Sequence, residues 1–213
     1  MLKQLFGPRR LLALVTLTAI AALGATAAPA SAGLGVSCPD PIAKVFQPWK
    51  DYSSYAFSPN GGFEAGADGW TLSGAAKVVP GSESFGVHGA KDRYSLSLPA
   101  GSSATTAPMC ISLLSGHMRL FVANDGAASS RLRVQVLYAG GVGGVLGTLA
   151  KLLGIADVGY LAAGSSWQPS ASVNMLGGTL PLLTAAVQFR FTPMDSAGKW
   201  QIDDVYVDPL MHG

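Results

Sequence analysis

Charge is scarce in this chain: 14 Lys+Arg and 12 Asp+Glu among 213 residues. Disordered tails and phosphate-binding surfaces need a much denser or more one-sided charge. The only glutamates are Glu64 and Glu83, and neither sits in a recognisable catalytic word. A glycosidase needs two carboxylates at a set separation, one with a raised pKa. Gly81-Ser82-Glu83-Ser84-Phe85-Gly86 has the wrong spacing for a nucleophile elbow. No phosphate loop or dinucleotide fingerprint occurs. There are two cysteines, Cys38 and Cys110, and His88, His117 and His212 share no ligand spacing with them, so no zinc-finger-like site is expected. Taken together, these absences predict a non-enzyme.

The sequence does carry an address. Lys3, Arg9 and Arg10 form a basic start, Leu11 to Ala25 is apolar and uncharged, and Ala30-Ser31-Ala32 is an A-x-A site. That order is the order of a secretory signal peptide, expected over residues 1–32. Fifteen helical residues reach about 22 Å, short of a hydrocarbon core of about 30 Å. Arg9-Arg10 leaves both the general and the twin-arginine export routes open. Without this segment 11 basic side chains face 12 acidic ones, a net of −1, which removes the electrostatic footprint expected of a nucleic-acid binder. No later run of 18 apolar residues follows, so no membrane span is expected in the mature chain and a secreted, extracellular protein is. In an exported chain the pair Cys38 and Cys110 reads as a disulfide. It would fasten an extended lead-in over residues 33–59, broken by Pro39, Pro41, Pro48 and Pro59, to the body that follows.

From Asn60 onward the hydrophobic period is two. Leu132, Val134, Val136 and Tyr138 alternate with Arg131, Arg133 and Gln135; Val187, Phe189 and Phe191 alternate with Gln188 and Arg190. Further strands are predicted at Ala75–Val79, Phe85–His88, Tyr94–Leu98, Met118–Ala123, Trp167–Asn174 and Trp200–Val207. Turn words separate them, among them Asn60-Gly61-Gly62, Pro80-Gly81, Asn124-Asp125-Gly126 and Ser196-Ala197-Gly198. Short strands at this spacing predict an all-β, antiparallel β-sandwich over residues 60–209. Gly140 to Gly164 fits two readings, a short helix with Leu146, Leu149, Leu152 and Leu153 on one face, or a Gly-rich hairpin.

The alternation also nominates a binding surface. Arg133 and Gln135 on one strand, Gln188 and Arg190 on a second, and Arg119 and Phe121 on a third would share one polar sheet face. Planar hydrogen-bonding groups beside an aromatic ring suit a sugar. The same face also fits an ordinary solvated surface.

The two ends of the body carry the most specific words: Asn60-Gly61-Gly62-Phe63-Glu64 with Gly69-Trp70 near the start, and Trp200-Gln201-Ile202-Asp203-Asp204-Val205 near the end, with Trp167-Gln168-Pro169 between. In this order they resemble the jelly-roll carbohydrate-binding modules of the family 4/9/22 type, in the galactose-binding-domain-like superfamily. The likeness runs from about Pro59 to Pro209. The chain is also similar to exported proteins of high-GC Gram-positive bacteria, which implies no activity. The resemblance implies that the first and last strands lie together and that a structural calcium joins them. Its ligands would be the carboxylates of Glu64 and Asp203 and the carbonyl of Gly62, with Asp92 as a further candidate. The competing reading makes Glu64 and Asp203 strand-end acids bonded to turn amides. The resemblance further implies packing roles for Trp70, Trp167 and Trp200, and a non-catalytic module whose partner is a carbohydrate or cell-envelope glycan. The alternative function is an extracellular structural or protein-interaction domain on the same scaffold.

Overall fold

A computed structural model of the protein describes residues 43–112, 116–138, 155–174 and 184–208. The expected signal segment, Cys38 and therefore its expected pairing with Cys110, the start of the lead-in, and residues 139–154 lie outside the described residues. Among the described residues there are thirteen strands and one 3-10 turn (Gln47–Trp49). None of them belongs to a helix long and apolar enough to cross a membrane.

In chain order the strands are β1 (Ala56–Phe57), β2 (Thr71–Ser73), β3 (Lys77–Pro80), β4 (Tyr94–Pro99), β5 (Ser103–Thr105), β6 (Met109–Ser112), β7 (His117–Asn124), β8 (Leu132–Tyr138), β9 (Ile155–Leu161), β10 (Gln168–Pro169), β11 (Val173–Asn174), β12 (Thr184–Pro193) and β13 (Lys199–Asp208). They form two antiparallel sheets, as the period of two predicts. The seven-stranded sheet runs β10-β7-β13-β4-β3, with β1 also on β13 and β11 also on β7. The six-stranded sheet runs β2-β5-β12-β8-β9, with β6 also on β12.

One residue in two from each long strand fills the space between the sheets. Leu132, Val134 and Val136 of β8 meet Val187, Phe189 and Phe191 of β12, and from the other sheet come Leu96, Leu98, Met118, Leu120, Val122, Trp200 and Ile202. Trp70 and Phe63 close one end of this core, their rings 4.7 Å apart.

A second apolar cluster lies on the far side of the seven-stranded sheet. Phe46 and Tyr55, from the segment before β1, cover Phe121 of β7 and Tyr206 of β13. Phe46 stacks on Phe121 at 5.5 Å and meets Tyr55 edge-on at 5.0 Å. The described part of the lead-in is therefore packed structure: residues Ala43 and Tyr55 bridge, and β1 adds to β13.

Two expected strands are altered. Phe85–His88 is a loop, because carboxylates take its amides: Glu83 accepts from the N–H groups of Phe85 and Val87, and Asp204 from that of His88. Trp167–Asn174 is split into β10 and β11 around Ser170, whose side chain accepts from the Leu120 N–H and whose carbonyl accepts from Arg119. Of the segment with two readings, residues 155–161 form β9 against β8.

Because Phe46 is wholly buried whereas Tyr52 is 63% exposed, Phe46→Ala is expected to lower stability by about 3–5 kcal/mol. Tyr52→Ala is expected to change it by less than about 0.5 kcal/mol. Urea unfolding of both variants checks this, and equal effects would mean that the lead-in does not pack as described.

Candidate functional site

Three locations carry the chemistry, one on the outer side of the six-stranded sheet and two on the outer side of the seven-stranded sheet. On the six-stranded sheet, the odd residues of β8 and the even residues of β12 point away from the core, so their registers decide what meets what. Arg190 pairs with both Thr105 and Gln135, and Gln135 pairs with Asp157. Thr71 extends the same row on β2. Five strands at about 4.8 Å spacing make this row about 19 Å long. In the next row Thr192 pairs with Arg133, and Arg133 with Tyr160.

Hydrogen bonds fix several of these groups. Gln135 Nε2 donates to Asp157 Oδ1 at 2.8 Å, and the Tyr160 hydroxyl donates to Asp157 Oδ2 at 2.9 Å. Arg190 Nε donates to Thr105 Oγ1 at 3.3 Å and Gln188 Nε2 to the Thr106 carbonyl at 2.9 Å. The hydrogen bonds from Gln135 and Tyr160 hold the Asp157 carboxyl below its ordinary range, and the same bond raises the Tyr160 hydroxyl. Arg133 Nε is buried without a hydrogen-bond partner. The Tyr160 ring is 54% exposed. Of the residues nominated from sequence, Arg133, Gln135, Gln188 and Arg190 are brought together here. Asp157 and Tyr160 were missed, because they lie in the Gly-rich stretch that left helix and strand open. Only the pairing with β8 reveals them.

Arg119 and Phe121 do not join this face, which corrects the expectation that all six share it. They sit on β7, in the other sheet, and both are buried. Arg119 donates through Nε and Nη2 to the Ser170 carbonyl (3.0 and 2.8 Å) and through Nη1 to Asp51 Oδ2 (2.8 Å), with its guanidinium 4.4 Å above the Phe46 ring. Asp51 also accepts from the Tyr55 hydroxyl at 2.7 Å. Burial pushes the Asp51 carboxyl up, but the hydrogen bonds from Tyr55 and Arg119 outweigh it and leave the carboxyl below its ordinary value. This clamp holds the lead-in on the sheet.

The third location is where the two specific sequence words meet. In β13 the register shifts between Asp203 and Tyr206, with Asp204 at φ 45°. This β-bulge turns both acids to the outer face. The Gly61 turn docks on it: the Val205 N–H donates to the Gly61 carbonyl at 3.2 Å and the Ser58 N–H to the Val205 carbonyl at 2.9 Å. A Cβ at Gly62 would lie 2.8 Å from Asp204 Oδ1. Asp203 Oδ2 accepts from Ser82 Oγ and the Glu83 N–H, both at 2.8 Å. Burial pushes the Asp203 carboxyl up to about 8 and that of Asp204 up to about 7; these hydrogen bonds and the His88 N–H oppose the rise, and neighbouring acids add to it.

The four nominated calcium ligands surround this junction without forming one shell. Glu64 Oε1 accepts from the backbone N–H groups of Arg93 and Tyr94 at 2.7 and 2.9 Å. Asp92 Oδ2 pairs with His88 Nδ1 at 2.7 Å. Among the described residues, the His, Cys, Asp and Glu ligand atoms that converge within 4.8 Å belong to His88, Asp92 and Asp204. Of the four nominated ligands only Asp92 belongs to that group, and an imidazole with two carboxylates is not the all-oxygen set that calcium takes.

No family model and no curated protein sequence matches the chain. Solved structures with a similar course of chain include the carbohydrate-binding module TmCBM61 in complex with β-1,4-galactotriose, at 15% identity and a TM-score of 0.45 over 72% of this chain and 98% of that one. Another is the CBM22-1 xylan-binding domain of Xyn10C from Paenibacillus barcinonensis (15% identity, TM-score 0.46, 71% of this chain, 93% of that one). A third is the K1 cleaved adhesin domain of Lys-gingipain from Porphyromonas gingivalis (15%, 0.44, 70% and 96%). Likeness at this level says nothing about which side chains bind.

The Arg119–Asp51 clamp makes a sign prediction. A carboxyl whose folded pKa is lowered stabilises the fold above its ordinary value of 3.8 and loses that contribution as pH falls through the folded value. Arg119→Ala is expected to cost about 1.5–3 kcal/mol near neutral pH. The stability difference between the native protein and Asp51→Asn should narrow as the solution is acidified below pH 3.8. Urea unfolding across the acid range measures it, and a difference that stays constant would contradict the clamp.

Proposed function

We propose that the protein is an exported, non-catalytic module that binds a carbohydrate, an environmental polysaccharide or a glycan of the cell envelope, on the outer face of its six-stranded sheet. The observation that carries this reading is the row Thr105, Arg190, Gln135 and Asp157, flanked by Arg133 and the exposed ring of Tyr160. Sugar rings offer an apolar face to an aromatic ring and in-plane hydroxyls to guanidinium, amide and carboxylate groups. Because Gln135, Asp157 and Tyr160 already hold one another, little side-chain entropy is lost on binding.

Three of the acids support a non-catalytic role. Asp157 is exposed and held below its ordinary range, the opposite of what a general acid needs. Asp203 and Asp204 are pushed up, but each is 1% exposed beneath the 82–88 loop, out of reach of a polymer. The basic start, the apolar run to Ala25 and the Ala30-Ser31-Ala32 site support export. In an oxidising compartment Cys38 would join Cys110 on β6.

A second reading, a protein-interaction surface, is favoured by β9. It is the last strand of its sheet among the described residues and exposes both Ile155 (52%) and Tyr160.

Affinity electrophoresis in gels containing soluble xylan, galactan or β-glucan tests the proposal. At least one polymer should retard the protein. Tyr160→Ala, and Arg133→Ala combined with Arg190→Ala, should each weaken retardation at least tenfold, about 1.4 kcal/mol, with an unchanged unfolding midpoint. Retardation that survives in both variants, or no retardation by any polymer, would move the face to the protein-interaction reading.

A further inference from the structure

The bulge in β13 leaves one group unexplained. Asp204 is 1% exposed, and its Oδ1 has no hydrogen-bond partner. A buried carboxylate oxygen without a donor is costly, and in folded proteins such groups are paired or hold a metal. Only a glycine can pack this close to it: a side chain at Gly62 would put a Cβ 2.8 Å from that oxygen. Two side chains near Asp204 are themselves ligand types. His88 and Asp92 come from the loop before β4, and one ligand atom of each lies within 4.8 Å of the others and of an Asp204 oxygen. The imidazole is held in plane by Phe57, stacked on it at 3.9 Å with 9° between the rings. The Asp204 carboxylate is tied to the same loop by the His88 N–H at 3.1 Å.

From this geometry we infer that His88, Asp92 and Asp204 form a binding site for a borderline divalent cation of the zinc class. Imidazole nitrogen with two carboxylates suits Zn²⁺, which takes four ligands, one of which can be water. Calcium and magnesium prefer oxygen alone. Two atoms bound to one tetrahedral ion at about 2.1 Å lie roughly 3.4 Å apart. The 2.7 Å separation of His88 Nδ1 and Asp92 Oδ2 therefore opens by less than an ångström when the ion replaces the proton between them. Both side chains reach solvent, His88 39% and Asp92 13% exposed, and Asp92 lines a recess with Ala90, Lys91 and Arg93. The ion thus has a way in and room for a water. Bound there, it ties the 82–92 loop to the last strand.

The test is thermal unfolding and titration calorimetry of the chelator-stripped protein with Zn²⁺, Mn²⁺ or Ca²⁺ as the sole added ion. Zn²⁺ should bind one per chain and raise the unfolding midpoint by several degrees, well above the effect of Ca²⁺. His88→Gln and Asp92→Asn should each abolish the Zn²⁺ shift; both are at the solvent side of the site, so the variants remain foldable where Asp204→Asn would not need to be. A shift that is equal for Ca²⁺ and indifferent to His88→Gln would overturn the proposal in favour of an oxygen-only site. A Zn²⁺ shift that survives in His88→Gln, or no shift with any ion, would also overturn it. Retardation in polysaccharide gels reads the other sheet and is independent of these outcomes.

Discussion

The β-bulge at Asp203–Asp204 sets the layout of the molecule. The alternation of β13 puts Trp200 and Ile202 in the core. Continued unbroken, it would send Asp204 and Tyr206 inward and Val205 and Val207 outward. One extra residue reverses this. Val205 and Val207 enter the core, while Asp203, Asp204 and Tyr206 face out. Holding Asp204 at φ 45° costs about 1–3 kcal/mol. Burying the two valines returns about 1.5–3 kcal/mol each, and the core is spared an acid. The bulge is therefore the favoured register.

Its consequence is that the two outer faces have different fates. On the seven-stranded sheet the bulge presents buried acids and Tyr206, which need cover. The lead-in supplies it with Phe46 and Tyr55, and the 82–88 loop with its backbone amides. Arg119 and Phe121 are enclosed in the process, so polar and aromatic side chains that would suit a ligand serve as a clamp. On the six-stranded sheet no such pressure exists. Arg133, Gln135, Asp157, Tyr160 and Arg190 keep their access to solvent, and Gln135, Asp157 and Tyr160 hold each other in position.

The sandwich was legible because β8 and β12 are long and alternate cleanly. So was the meeting of the two end words, since Asn60-Gly61-Gly62 and Asp203-Asp204 do dock on each other. What was hidden has physical reasons. Thr71–Ser73 and Ser103–Thr105 are strands of three residues, each with a single apolar residue at its centre, too short for alternation to register. Phe85–His88 alternates like a strand, but Glu83 and Asp204 outcompete any neighbour for its amides. Period two also cannot say which sheet a strand joins, and this is why Arg119 and Phe121 were grouped with Arg133. His88 and Asp92 are four residues apart, too common a spacing to notice; Asp204, more than a hundred residues on, gives them meaning only in the fold.

The central claim is that ligand binds the open face and not the covered one. Titrating the isotopically labelled protein with soluble oligosaccharides while recording amide chemical shifts tests it most directly. The expected result is saturable shifts clustered on β8, β9 and the outward residues of β12, with β7 and β13 undisturbed. Shifts concentrated instead on the lead-in, β7 and the 82–92 loop would contradict it.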